Sequence, residues 1–436
     1  YFWAYRLGDH RWAWVTAWFN MIGQVTITAG IDYAAAVYIV GAVNRICGTQ
    51  LPTGTVATIV AMVLIMIPQV LINIFGIRLT ALLNDFSVYW HIGGVLAIAI
   101  LLTIFGHHRQ PLAFLLHSAV TVSPADLAAS FAVGPWSINS IMLRLPAIRS
   151  LYLNGGVALA FVLGLLQAQW TYTGYDASAH VAEETVMARL NSAWGVFLSV
   201  AVSAVVGYVM LLILTLHIPD VAAAVDQANA PAVLYIVYAN LAPRAADCVA
   251  VIIAVAMWLC GLSSITSMSR MWFAFARDGG MPGYTLIKRV HHTWRTPVWA
   301  IVVTSVLAVL LTVYAALYSV VVALSTSALY VAYAIPIFLN LRNKLKRRGE
   351  HACEHTTPES APWNLGRWGV PLNAIAVAWV GCITLLFSIP PNELAGWSIV
   401  LLGGFMFLYW QVDAKHRFRG PPRTSPAEMR RAESDL

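Results

Sequence analysis

The sequence predicts an all-α polytopic membrane protein, and three observations predict it. Only 10% of the 436 residues are Asp, Glu, Lys or Arg, while 59% are hydrophobic. A soluble domain carries about a quarter charged residues, so most of this surface is solvated by lipid. The apolar residues fall into ten runs, most of them near the roughly 20 residues that a helical span needs. The basic residues, finally, segregate between alternate connections, as the charge rule for membrane orientation requires. Length and composition read as one transmembrane domain over residues 1–412. A basic tail follows at 413–436, whose Pro, Arg, Ser and Glu content predicts disorder.

In chain order the runs are Trp14–Val43, Val56–Phe75, Val88–Phe105, Val157–Ala179, Val196–Leu216, Val249–Phe275, Val298–Tyr314, Val320–Leu341, Leu372–Ile389 and Trp397–Trp410. Trp12, Trp14, Trp18 and Trp294 flank runs and read as interfacial anchors. Ten spans return both ends to one face. Of the 26 Lys and Arg residues, 21 then lie on the face of the termini and five (Arg45, Arg109, Arg144, Arg149 and Arg244) on the other. The rule makes both ends cytoplasmic, in a cell membrane, with His107–Leu153 and His217–Arg244 outside. In the first of these, Pro124–Phe131 reads as a short helix with Ser123 as its cap. The basic clusters Arg342–Arg348 and Lys415–Arg431 carry no interleaved aromatic platform, so they read as charge near anionic lipid and not as a nucleic-acid surface. Five cysteines without a CxxC pair imply no disulfide framework. No signal peptide is legible, and the opening on Tyr1 reads as an amino-terminal truncation.

The fourth run is the one the chain is organised around. It enters as an apolar helix, then meets Thr171, Tyr172, Thr173, Gly174, Tyr175 and Asp176, and ends on Glu183 and Glu184. Gly and Thr lower helix propensity, and Asp is costly in hydrocarbon. A spanning helix breaks only where its freed backbone groups face protein or a water-filled cavity, which is how many secondary transporters hold substrate and ion. Freed carbonyls suit a cation, because each is an unpaired acceptor at low dielectric. A helix bent for packing is the competing reading.

Other intramembrane polar residues also have two readings. Gln24 and Thr28 stand one turn apart on the first run, with Asn20 extending the stripe toward an interhelical hydrogen bond. Ser263, Ser264, Thr266 and Ser267 interrupt the sixth run and suit either a site or close helix packing. Ser325, Ser327 and Tyr330 lie along the eighth. An enzyme reading has three supports. Asp176, His180 and Glu184 are spaced by four and would form one stripe for a metal-dependent hydrolase or acyltransferase, although a break at 174–177 destroys that register. His351, Cys353 and His355 sit in one short loop without a fourth ligand, and His291–His292 flanks a basic loop. No catalytic triad pattern or phosphate loop accompanies them, no cofactor is implied, and a channel or receptor is a third class.

Four stretches carry a resemblance: YFWAYRLG at 1–8, QWTYTGYDASAHVAEET at 169–185, SRMWFAFARDGGMP at 269–282 and PWNLGRWGVPLN at 362–373. In this order the chain resembles the amino acid–polyamine–organocation (APC) transporter superfamily, and within it the amino acid–choline (GABA permease-like) branch. The resemblance implies a five-plus-five inverted-repeat, LeuT-like fold of twelve spans, of which about ten are here. The opening stretch looks like the segment before the third span. The first broken helix, which in the family holds the substrate carboxylate, would then be missing. It further implies that Trp170 closes over substrate, that Thr171–Asp176 and Ser264 face it, and that Arg270 pairs with Glu183 or Glu184 at an inner gate. Asp176 matches an acidic gate position, with capping of the inner half-helix as the alternative. His91 stands where many members carry a lysine in place of sodium. A histidine exchanges protons near physiological pH, so His91, with Ser263, is the expected coupling site and the proton the expected ion; a packing histidine is the competing reading. The implied function is proton-coupled import of an amino acid or a small amine.

Overall fold

The computed structural model describes residues 1–116, 144–154, 156–182, 185–225, 231–315, 318–349, 365–389 and 392–421. Each of the ten apolar runs forms a helix: α1 His10–Cys47, α2 Thr55–Phe75, α3 Ile77–Phe105, α4 Gly156–Thr171, α5 Ala188–Leu216, α6 Pro243–Arg277, α7 Val298–Ala315, α8 Tyr318–Gly349, α9 Gly369–Leu386 and α10 Glu393–Tyr409. Eight helices among the described residues are long and apolar enough to cross a membrane, and α7 is a shorter apolar helix. No strand occurs among the described residues. The protein is an integral membrane protein built of helices.

Local chemistry explains the ends of α1. The Asp9 carboxylate accepts from the backbone N–H groups of Arg11 at 2.8 Å and Trp12 at 3.1 Å, and Gly48 closes the helix with φ +63°. The run expected from Val88 begins eleven residues earlier, because the polar residues Asn84, Asp85 and Ser87 are carried inside one continuous helix from Ile77. Position in the bundle follows from burial. In the most apolar stretch of α1, 61% of residues are buried, and in α8 67%, against none in α5. Helices α1 and α8 are therefore the centre, packed mainly against each other, with α6 against α1 and α9 against α8, and α5 is the lipid-facing periphery. Small residues make the centre possible: Ala13, Ala17, Ala29, Ala35 and Ala36 of α1 are completely buried. Lipid tails are as apolar as leucine, so close packing and hydrogen bonds hold these helices together.

Two expectations need correction here. Trp14 and Trp18 are core residues, 2% and 6% exposed, and not interfacial anchors. Trp14 donates its indole N–H to the Gly280 carbonyl at 2.8 Å, and Trp18 packs edge-on against Phe275 and Phe405. The tail expected from residue 413 is ordered through Phe418. Arg417 donates to the Gly279 carbonyl at 2.8 Å and pairs with Asp413 at 2.7 Å, and Phe418 is buried against Phe275. Residues 422–436, the helix expected at Pro124–Phe131 with its Ser123 cap, and the His351–Cys353–His355 group lie outside the described residues.

Candidate substrate site

Helix α4 ends at Thr171, and the chain resumes helix only in the single turn Ala177–His180. Between them Gly174 has φ +82°, a backbone state that L side chains rarely adopt, and a β-carbon added there would meet nothing within 4 Å. The break thus opens onto empty space at its glycine. Backbone bonds on its two sides are short-range: Thr173 N–H to the Trp170 carbonyl at 3.0 Å, and Ala177 N–H to the Gly174 carbonyl at 3.1 Å. The carbonyls of Tyr172, Thr173 and Tyr175 accept no hydrogen bond from the described residues. Three partly buried carbonyls without a protein donor, grouped at one break, form a ready set of ligands for a cation.

Below the break, Asp176 gathers three elements. It is 7% exposed; Oδ2 accepts from the Asn20 amide of α1 at 2.7 Å and faces His180 Nε2 at 3.1 Å, and Oδ1 accepts from the Tyr333 hydroxyl of α8 at 2.8 Å. Tyr333 also accepts the Gly174 N–H at 3.2 Å and packs its ring at a tilt of 38° against Tyr175, with centroids 4.4 Å apart. His180 Nδ1 lies 2.7 Å from the Ser267 hydroxyl of α6. Asn20, expected to make an interhelical hydrogen bond, donates it to this carboxylate. Asp176 stands at the N-terminus of the following turn, but its side chain makes no capping bond, because its oxygens are taken by the three neighbours.

Helix α6 is the hub of the surrounding hydrogen bonds, since four of its hydroxyls reach four different elements. Ser263 donates to Asn84 of α3 at 2.7 Å, Ser264 lies 2.6 Å from Thr28 of α1, Thr266 donates to Asn73 of α2 at 2.7 Å, and Ser267 meets His180.

Residues 1–410 match the family described as amino acid permease. The chain belongs to the amino acid permease family, within the APC superfamily. It is 30% identical to the amino-acid permease BAT1 homolog of Oryza sativa subsp. japonica, over 97% of this chain and 79% of that protein. It is 28% identical to amino-acid permease BAT1 of Arabidopsis thaliana, over 97% of this chain and 80% of that one. Amino-acid permease 2 of Neurospora crassa is 22% identical over 95% of the chain and 71% of its own length. The protein is an amino acid transporter and not an enzyme.

Seen as a permease, the remaining expected site residues fall as follows. The Trp170 ring lies beside Gly30 of α1. Gln24 is buried, with its amide nitrogen unpartnered, one turn before Thr28. Tyr330 reaches across from α8 to the Gln169 carbonyl at 3.3 Å. Arg270 is half-buried near the end of α6, and the residues expected to pair with it, Glu183 and Glu184, lie outside the described residues. His91 does not meet Ser263 or Ser264, whose hydroxyls are held by Asn84 and Thr28. Its Nδ1 lies 2.7 Å from the Ser87 carbonyl, one turn back in its own helix. The spacing of Asp176 and His180 survives, contrary to expectation, because the break ends at Asp176 and the turn that follows keeps both on one face.

Sequence reasoning missed Tyr333, Gln69 and Asp32. Tyr333 is one turn after Ser327 plus two residues, with no periodic signal to mark it. Asp32 had a signal, since it continues the Asn20, Gln24, Thr28 spacing by four and is an acid inside an apolar run.

Proposed function

We propose that this permease is a secondary active transporter that carries an amino acid, or a related small amine such as GABA, together with a proton by alternating access. The observation that carries the reading is the break at Tyr172–Asp176, with three unclaimed carbonyls beside an open space. The substrate ammonium is held by those carbonyls. Trp170, Tyr172, Thr173, Tyr175, Gln24 and the Thr28–Ser264 pair line its surroundings. Asp176 fixes the geometry of the break from below through Tyr333 and His180. Glu183, Glu184 and Arg270 form the gate at the end where α6 closes. Both ends of the chain face the cytoplasm across a cell membrane, and the helices are arranged as inverted five-helix repeats. The hydrolase reading has no support, since Asp176 and His180 are occupied by each other and by Asn20, Tyr333 and Ser267.

The test is uptake of one labelled amino acid by full-length protein in liposomes, with a panel of unlabelled amino acids and amines as competitors. Saturable uptake displaced by a subset of α- or ω-amino acids is expected. Uptake that grows linearly with concentration and is displaced by none of them contradicts a bound-substrate mechanism.

A further inference from the structure

The polar stripe of α1 continues one turn beyond Thr28, to Asp32. This carboxylate is completely buried where α1, α2 and α6 meet. Its Oδ1 accepts from Gln69 Nε2 at 3.1 Å, and the same nitrogen donates to the Trp258 carbonyl at 3.0 Å. Its Oδ2 and the Gln69 Oε1 are both buried without a hydrogen-bond partner. Gly261 of α6 lies directly over the pair: a β-carbon there would stand 2.2 Å from Asp32 Oδ1 and 2.4 Å from Gln69 Nε2. Only glycine lets α6 close so tightly on this carboxyl.

The charges that face Asp32 are few. Helix α2 contains no titratable side chain at all. Helix α6 presents the Cys260 thiol, and no Lys, Arg or His among the described residues forms an ion pair with Asp32. An ionised carboxylate in such an enclosure has one amide donor and no counter-cation, and its desolvation is not repaid. The enclosure suits the neutral acid. A proton on the unpartnered Oδ2 would be occluded between three helices. Parting α6 from α1 exposes both oxygens, and the carboxylate that forms on proton release is then solvated.

We propose that Asp32 is the residue that carries the coupled proton, with Gln69 as its positioning partner. This rests on the proton-coupled reading above and replaces His91 as the bearer. Asp32 binds one proton from the side of higher activity and releases the same proton to the other side, and no other bond is made or broken. The proton-bound form favours closure of α6 on α1, and the ionised form favours its opening; a ligand shifts such an equilibrium only by its different affinity for the two states. The continuous stripe of Asn20, Gln24, Thr28 and Asp32, with Thr28 on Ser264, joins the proton site to the substrate site along the α1–α6 seam.

The experiment is counterflow and pH-gradient-driven uptake measured in the same liposomes, for the full-length parent, Asp32→Asn and His91→Ala. One coupled proton sustains about tenfold accumulation for each unit of pH gradient. The parent and His91→Ala are expected to reach that ratio. Asp32→Asn is expected to equilibrate substrate without accumulating it and to keep its counterflow. Accumulation by Asp32→Asn equal to the parent overturns the proposal. Should Asp32→Asn show neither activity, infrared spectroscopy decides. The carbonyl stretch of an un-ionised carboxylic acid, present in the parent and absent from Asp32→Asn, supports the assignment, and identical spectra overturn it. A parent that exchanges substrate yet ignores a pH gradient, or follows sodium instead, overturns the coupled reading together with Asp32 and leaves amino acid transport standing.

Discussion

Two aspartates are buried on either end of one helical stripe, and their surroundings are opposite. Asp176 has both oxygens occupied, by an amide, a phenol and an imidazole drawn from α1, α8 and its own turn. Asp32 has one oxygen occupied by a single amide and the other by nothing. A buried carboxylate with both oxygens hydrogen-bonded rigidifies its neighbourhood, whereas one with an oxygen left unpaired carries a desolvation cost that a change of protonation or exposure relieves. The difference teaches a division of labour. Asp176 fixes the shape of the break, and Asp32 is free to change its charge.

The strongest way to break this comparison is Asp176→Ala. It leaves Asn20, Tyr333 and His180 buried without their shared acceptor. At about 1–3 kcal/mol for each abandoned group, several kcal/mol of stability are lost, and thermal unfolding in detergent should fall steeply with transport abolished. Stability equal to the parent would remove the network from the account. Tyr333→Phe sharpens the comparison at smaller cost, since it deletes one donor to Asp176 and the acceptor for Gly174 N–H. A loss of about 1–3 kcal/mol is expected, together with weakened substrate affinity because the break loosens. Unchanged affinity would show that Tyr333 does not position it. Asp32→Asn should leave thermal stability unchanged or raised, because no salt bridge is lost and an ionisable group leaves a closed site. A large destabilisation would instead make Asp32 a structural partner like Asp176. The smallest effect is expected from His91→Ala, below about 1 kcal/mol, since the ring is half-buried and bonded only to its own helix; the same thermal scan checks it.

Much of this architecture was legible in the sequence because lipid imposes a coarse code. Ten apolar runs became ten helices, and the coincidence of Gly174 and Asp176 with the hydroxyl-bearing residues Thr171, Tyr172, Thr173 and Tyr175 marked the break. What the code misses is lateral. Trp14 and Trp18 read as interfacial by residue type, yet a helix surrounded on all sides by protein turns such residues into core. The partners of Asp176 come from positions 20, 180 and 333, and the partner of Ser263 is Asn84 and not His91. Those pairings depend on how helices rotate against one another, which hydrophobic periodicity cannot specify when lipid-facing and protein-facing surfaces are equally apolar. Asp32, by contrast, is marked in the sequence, because its spacing from Thr28 repeats that of Thr28 from Gln24.

The central claim is that the break at Gly174 is where substrate binds, and Gly174→Leu tests it most directly. The added side chain enters the open space beside the three unclaimed carbonyls and carries a positive φ that costs about 1–2 kcal/mol. The measurement is equilibrium binding and counterflow of a labelled amino acid by the full-length variant, alongside its elution as a single folded species in detergent. The account predicts a folded protein that neither binds nor exchanges substrate. Binding and exchange at the parent level by that folded variant would contradict it.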